Sequence, residues 1–387
     1  MRHRDSTFGS LLKPVSRRQF AAIVERFDGD AYDKSFSSWD HLVALVFAQL
    51  CHADSLRGLV AGFNANAQHH YHLGVGKLAR STLSDANGRR PVGIFAQTFA
   101  LLAGAADRQT RRAGGEMIRL IDASPIPLHK LCAWAHWNGR IRGMKLHVVY
   151  DPKADIAREA EVTSATVNDV EIGRQVALER GATYVFDKGY CHFGWWKKIN
   201  DEGAFFVTRR KVNSRYRVTR QRPLRKAVGD GFRIIGDAEV VLASKGNARL
   251  PIPLRRIRVK PDNGKMITLL TNDRDRTAVE IAMLYKGRWQ IELLFRWIKQ
   301  HLNIRKFLGT NENAIRLQLI AAMIAYLLLR IAARINCIKM SALRLAELIG
   351  QFLFTRRPIA EIDKPPPVNP SKRRPKASPD QWHFCYA

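Results

Sequence analysis

The stretch Tyr285–Leu302, "YKGRWQIELLFRWIKQHL", decides how this chain is read. At about 100° per residue it makes an amphipathic helix whose far side carries Ile291, Leu294, Ile298 and Leu302, which can pack on a core. The opposite edge is crowded. Tyr285, Arg288, Glu292 and Lys299 fall at roughly 0°, 300°, 340° and 320°, within about 60° of arc. Charged side chains gather on the solvated side of most helices, where pairs one turn apart add a few tenths of a kcal/mol. That ordinary reading stands unless the rest of the chain explains a carboxylate among a phenol, a guanidinium and an ammonium.

The charge balance is the first such reason. Across 387 residues, 64 Lys and Arg face 34 Asp and Glu, a formal net charge of +30 with a pI near 10.5. Such an excess repels itself until something anionic neutralises it, and nucleic acid is the usual partner. Apolar content of 46% and charged content of 25% are those of a folded protein long enough for two or three domains. The unbroken apolar run from Leu319 to Leu329 falls short of the ~20 residues that span a bilayer, so it reads as a buried helix and no membrane partner is expected. The N-terminus shows no apolar signal region. The cysteines (Cys51, Cys132, Cys191, Cys337, Cys385) are scattered without a CxxC pair, which suggests neither zinc nor a disulfide framework and fits a reducing cytoplasm.

Residues 1–112 read as helical, with Ser38 or Asp40 opening the helix in "SSWDHLVALVFAQL". "HYHLGVGKLARSTLSDANGRR" reads as two short helices around a glycine turn, the second opened by Ser81 or Thr82. A helix-turn-helix has that pattern, and so does any small helical hairpin. From Arg119 the period changes to that of strands: "IRLIDASPIP", "GMKLHVVYDP" and "AREAEVTSAT", with a turn signal at Asn138-Gly139. A helix, "DVEIGRQVALERG", precedes a fourth strand, "TYVFDKGY". Three strands, a helix and a strand are the order of a ribonuclease-H-like core, although many α/β folds begin that way. Residues 209–226, "RRKVNSRYRVTRQRPLRK", hold nine Lys or Arg and no acid. Phosphate contact through Arg209, Arg210 and Lys211 is favoured there over a merely solvated loop.

The resulting division is a helical DNA-binding domain (1–112), a first core part (113–208), a basic β-rich insertion (209–272), C-terminal core helices (273–354) and a basic, Pro-rich tail (355–387) that composition marks as disordered.

Asp122 closes "RLID" and Asp187 closes "YVFD". Carboxylates at the ends of neighbouring strands converge where side chains leave the sheet, and the helix above brings Glu292 over them. Three acids held together repel one another unless divalent cations neutralise them. Mg²⁺ prefers oxygen ligands and keeps several waters, and two ions roughly 4 Å apart serve an in-line phosphoryl transfer. Each Asp taken singly reads as a strand-end or turn residue; together with Glu292 they read as catalytic metal ligands. Arg288 then grips a phosphate bidentately, Lys299 holds another as a point charge, and Tyr285 stacks or donates a hydrogen bond. Lys145 and His147, on the second strand, either flank the metal site and DNA or form the outward face of that strand.

These residues resemble the signature of the DDE transposases of the insertion-sequence type, insertion-sequence family 4. Its Tyr-x2-Arg-x3-Glu-x6-Lys spacing is met by Tyr285, Arg288, Glu292 and Lys299, and "IDAS" and "FDKGY" resemble its two Asp motifs. The likeness covers about residues 115 to 335, and "FGSLLKPVSRRQF" and "WDHLVALVFAQLCHADSLRGL" are similar to the opening domain of a subgroup. The 105 positions from Asp187 to Glu292 leave room for the family's β-strand insertion.

The resemblance implies an α/β ribonuclease-H-like core interrupted by that insertion, preceded by a helical DNA-binding domain. It implies cut-and-paste transposition: hydrolysis at a transposon end, a hairpin step in the best-known relatives, and attack of the 3′-OH on target DNA. Mg²⁺, with Mn²⁺ as a substitute, is the implied cofactor; double-stranded DNA and a second copy of the chain are the implied partners, in a bacterial nucleoid. It also makes Trp289 a candidate for stacking on a displaced base. A related nuclease without strand transfer, or a non-catalytic basic DNA-binding protein whose acids only cap strands, would share much of this pattern. Two features carry less. "QHHYH" lacks further ligands and reads as a solvated or DNA-facing loop. Of Trp195 and Trp196, one is expected in the core and the other partly exposed.

Overall fold

The computed structural model describes residues 5–364 apart from 32, 34, 113, 213, 225–227, 244–249, 251 and 303–305. Most of the Pro-rich tail, Cys385 and three positions of the basic run therefore lie outside the described residues.

Six helices, α1 (Thr7–Leu12), α2 (Arg17–Arg26), α3 (Ser38–Leu50), α4 (Leu56–Asn64), α5 (His70–Leu73) and α6 (Arg80–Arg89), lead into the 21-residue α7 (Val92–Arg112). Serines start the first four: Ser6, Ser16, Ser37 and Ser55 each accept a backbone N–H of the first turn. For α3 the cap is Ser37, not Ser38 or Asp40. Asp40 is instead the third helical residue and returns a hydrogen bond to the Ser37 N–H, completing a capping box. Helix α6 begins at Arg80, ahead of Ser81 and Thr82, with no side-chain cap. Gly74, in the left-handed region at φ 60°, ends α5. His70 is buried against the Phe63 carbonyl within that short helix, so the "QHHYH" stretch is not a loop.

The sheet holds β1 (Ile118–Pro127), β2 (Gly143–Asp151), β3 (Ile156–Ser164), then after α8 (Asp169–Gly173) β4 (Thr183–Phe186), and after α9 (Phe193–Asp201) β5 (Phe205–Arg209). Its order runs β3-β2-β1-β4-β5, with β1, β2 and β3 antiparallel and β4 and β5 parallel to β1. This is the ribonuclease-H-like arrangement. The helix expected over "DVEIGRQVALERG" stops at Gly173 because later backbone groups are claimed elsewhere. The Tyr184 hydroxyl accepts from the Glu179 N–H and donates to the Ala177 carbonyl.

The insertion comprises β6 (Arg215–Gln221), β7 (Val228–Gly229), β8 (Phe232–Ala243), β9 (Leu254–Pro261) and β10 (Ile267–Thr271). It extends the same sheet, since β10 pairs with β5 and the order continues β10-β9-β8-β6. Strand β6 is the edge, and its exposed Arg215, Arg217 and Arg220 are charges of the kind that protect an open edge from pairing.

Helices α10 (Ala278–Gly287), α11 (Trp289–His301), α12 (Glu312–Ile335) and α13 (Ala342–Phe352) follow. Helix α12 is long and apolar enough to cross a membrane, but 83% of its apolar window is buried inside the protein. It packs against α3, α6, α7 and β3, so the N-terminal helices and the core share one hydrophobic cluster. Hydrogen bonds from the Thr7 and Phe8 N–H groups to the Thr355 and Leu353 carbonyls tie the two ends of the described chain together. On the other face of the sheet a second cluster forms around Phe186, Phe206, Trp195 and Trp196. Both tryptophans are buried there, at 2% and 1% exposure, which corrects the expectation that one would reach the surface.

Candidate active site

Two of the acids are set side by side by strand register. Strands β1 and β4 run parallel with Ile121 opposite Phe186, so the next residues along are Asp122 and Asp187. Neighbouring strands lie about 4.8 Å apart, and partners in a ladder project to the same face. Asp122 does not end its strand as expected. Strand β1 continues to Pro127 against β2, and it is β4 that stops, leaving Asp187 free of the ladder with φ −79° and ψ 169°.

The third acid comes from α11. Its apolar side, Ile291, Leu294, Ile298 and Leu302, is buried as the periodicity requires. The helix expected over 285–302 is broken at Arg288, which ends α10 and starts α11. Arg288 itself keeps helical dihedrals, φ −54° and ψ −28°, and its side chain reaches two of the acids from this junction. One terminal nitrogen donates to Asp122 Oδ2 at 3.3 Å and the other to Glu292 Oε1 at 2.5 Å. The Tyr285 hydroxyl donates to Asp187 Oδ1 at 3.3 Å, and the Arg288 guanidinium lies 5.8 Å from the Tyr285 ring centre.

The electrostatics follow from that crowding. Burial pushes the Asp122 carboxyl up to about 6; the Ala123 N–H and Arg288 oppose this, while the charges of Glu292 and Asp187 add to it. Burial and then the Asp187 charge push the Tyr285 hydroxyl up to about 12, against the pull of Arg288 and Arg209. Burial would lower the Arg288 guanidinium, but its bond to Glu292 and the charges of Tyr285, Asp122 and Glu292 hold it above its ordinary value.

As they stand, no three acids, imidazoles or thiols among the described residues are close enough together to hold one metal ion. The cation between Asp122 and Glu292 is the Arg288 guanidinium. The donor set nevertheless fits a hard divalent ion, because it is all carboxylate oxygen and a positive charge already occupies the space between two of its members.

Around the acids an open cleft of about 420 Å³ is lined by Asp122, Ala123, Ser124, Glu292, Phe295, Arg296, Lys299 and Gln300. Lys299 is thus in the site, as its helical position suggests. Trp289 is half exposed at the start of α11, with the Arg296 guanidinium 5.9 Å from its ring centre. Arg296 was not singled out from the sequence, although it stands one turn after Glu292 and could have been found by that spacing.

Arg209 acts on Tyr285 across the site, whereas Lys211 lies exposed beside Cys191 and Arg210 packs over the Tyr216 ring at 5.3 Å. Lys145 and His147 belong elsewhere. They pair with Pro125 and Ala123, so strand alternation turns them to the face opposite Asp122. His147 is 4% exposed and shares a hydrogen bond with the Thr163 hydroxyl, while Lys145 bonds Asp169 at 2.8 Å. Neither side chain faces the candidate metal site.

Comparison with known proteins identifies the family. Residues 113–328, more than half of the chain, match the transposase DDE domain, and residues 3–76 match a domain family of unknown function, DUF4372. A protein of Sinorhizobium fredii described as a transposase is 66% identical over 304 residues, 79% of this chain and 85% of the relative. A protein of Geobacillus stearothermophilus, described as a transposase for insertion sequence element IS5377, is 30% identical over 66% of this chain and 68% of its own length. A piggyBac transposase in a synaptic complex with hairpin DNA is similar over 96% of this chain and 85% of its own, at 12% identity and a TM-score of 0.47, too slight a likeness to bear on function. The chain belongs to the DDE-domain transposases. Domains of this family generally depend on a divalent metal, and the substrate of a transposase is DNA.

Proposed function

We propose that Asp122, Asp187 and Glu292 are the catalytic carboxylates, and that the protein cuts DNA at the ends of an insertion sequence and joins the freed 3′-OH to target DNA. The reading rests on one observation: acids from β1, the end of β4 and α11, far apart in the chain, meet in one charge-coupled site under Arg288 and Tyr285. The three carboxylates would hold Mg²⁺, two ions by the chemistry of the reaction, with Mn²⁺ as a substitute. Held by these carboxylates, the metal would supply Lewis-acid activation of the attacking oxygen and charge stabilisation at the leaving 3′-oxygen.

Arg288 serves two purposes. In the protein alone it neutralises two mutually repelling acids, and with DNA present its planar fork suits a backbone phosphate beside the cut. Lys299 holds a neighbouring phosphate, Tyr285 keeps Asp187 oriented, and Trp289 stacks on a base displaced from the duplex. The cations of the β-rich insertion, Arg209 to Lys211 and the β6 edge, carry the DNA on past the site. The helical segment 1–112 binds the transposon end, two copies of the chain pair two ends, and the reaction takes place on DNA in the bacterial cytoplasm.

The test is cleavage of labelled end DNA and its joining to a plasmid by purified protein with Mg²⁺. Asp122→Asn, Asp187→Asn and Glu292→Gln should each abolish both steps while end binding persists. Any one of them cutting at the wild-type rate would remove that residue from the assignment, and cutting without joining would favour a plain nuclease.

A further inference from the structure

The connection between β1 and β2, residues 128–142, reads LHKLCAWAHWNGRIR and contains no acid. It is not a loose loop. The Leu128 N–H donates to the Arg142 carbonyl and the Asn138 N–H to the Ile141 carbonyl, and Trp137 bridges Arg142. The Asn138 side chain accepts from the Arg140 and Ile141 N–H groups and donates to the Ala165 carbonyl. Gly139, at φ 90°, makes the turn. Beneath it, Cys132 and Ala135 are buried, and the Trp134 indole N–H donates to the Thr310 carbonyl at 2.6 Å.

Yet this rigid tip presents Trp137 at 59% exposure and Leu131 at 71%, among the exposed cations Lys130, Arg140 and Arg142. An indole presented to water from a hydrogen-bonded turn, in a segment that carries cations and no acid, suits a partner that is anionic outside and aromatic within.

The tip also stands at a definite place. The active-site cleft runs along β1 from Asp122 through Ser124 toward it. Pro127, five residues past Asp122, pairs with Gly143, next to Arg142. At about 3.3 Å per strand residue, Trp137 is about 20 Å from the catalytic acids, or about six base pairs of duplex. The basic β-rich insertion lies across the sheet, on the other side of the β1–β4 pair. The one amide at the tip able to read a base, that of Asn138, is consumed internally, leaving a contact made of stacking and phosphate pairing, tolerant of sequence.

We infer that the 128–142 hairpin tip is a target-DNA contact: Trp137 wedges against the bases of the target duplex about six base pairs from the joining site, with Lys130, Arg140 and Arg142 on the flanking phosphates. The inference rests on the transposase reading above. An aromatic wedge partly unstacks a base step and bends the duplex, so targets that are already flexible there need it less.

Trp137→Ala and Trp137→Phe are compared in two reactions: cleavage of uncut end DNA, and joining of pre-cut 3′-OH ends to a linear duplex. Trp137→Ala should cleave within about twofold of wild type and join about tenfold less, by the scale of one lost base–aromatic contact. Trp137→Phe should keep most joining, and a mismatch placed about six base pairs from the insertion point should restore joining by Trp137→Ala. Normal joining by Trp137→Ala, or cleavage and joining falling together as for a contact with the transposon end, would overturn the inference alone. A wild-type protein that joins nothing would overturn the transposase reading and this with it.

Discussion

Replacing Asp122 by Asn should stabilise the metal-free protein, by an amount that grows with pH. Burial holds the Asp122 carboxyl at about 6 against an ordinary 3.8. The native protein therefore binds this proton more tightly than the unfolded chain. The charge is without cost below about 3.8, increasingly costly between about 3.8 and 6, and fully so above. At about 1.4 kcal/mol for each pH unit of that interval, the penalty reaches about 3 kcal/mol near neutrality.

Asn has nearly the shape of Asp and carries no charge at any pH, so the variant escapes the penalty. The Asp122 side chain is 21% exposed, which makes about 3 kcal/mol an upper figure. Urea unfolding in EDTA at pH 5, 6.5 and 8 measures it, with a gain at pH 5 about half that at pH 8. A divalent cation should then stabilise wild type more than the variant, because it binds the native carboxylates. A gain independent of pH, or a variant less stable than wild type at pH 8, would refute the reasoning.

Arg288→Lys keeps a charge but loses the fork that spans Asp122 and Glu292; cleavage should fall about 100-fold while Mn²⁺ binds the DNA-free protein more tightly, read by titration calorimetry, and unchanged metal affinity would count against the guanidinium occupying that space. Arg217→Ala with Arg220→Ala, on the exposed β6 edge, should weaken binding to all duplexes alike and lessen the slope of log affinity against log salt by about 1.8, measured by fluorescence anisotropy. Arg119→Met should cost about 3–5 kcal/mol in urea unfolding, because Arg119, 1% exposed, pairs with Asp151 at 2.9 Å and faces Glu179 and Asp107, which would be left in excess. His147→Gln should leave DNA affinity unchanged in the same anisotropy assay, since the imidazole lies inside the fold against Thr163.

Much of this was legible along the chain. The strands around Asp122 and before Asp187 announce themselves by β-branched residues and turn signals, and the buried side of α11 by its 3.6-residue period, because those patterns are local. The signature spacing from Tyr285 to Lys299 marks side chains that the structure gathers around Asp122 and Asp187. Local patterns also misled where tertiary contacts compete with them: over 169–181 the Tyr184 hydroxyl takes backbone groups that a helix would need, and at Arg288 a helix that is continuous by periodicity is broken.

By itself, then, the sequence determined the chemical inventory: an excess of cations, two acids in strand-like runs, a third on a patterned helix, and an acid-free basic run. These depend only on residue type and short spacing. Tertiary structure decided which of those groups meet. The parallel register of β1 with β4 sets Asp122 beside Asp187, α11 lowers Glu292 onto them through Arg288, and the pleat of β2 turns Lys145 and His147 away. Register between strands 65 positions apart is set by packing of both faces of the sheet, and a one-residue slip would send each side chain to the opposite face.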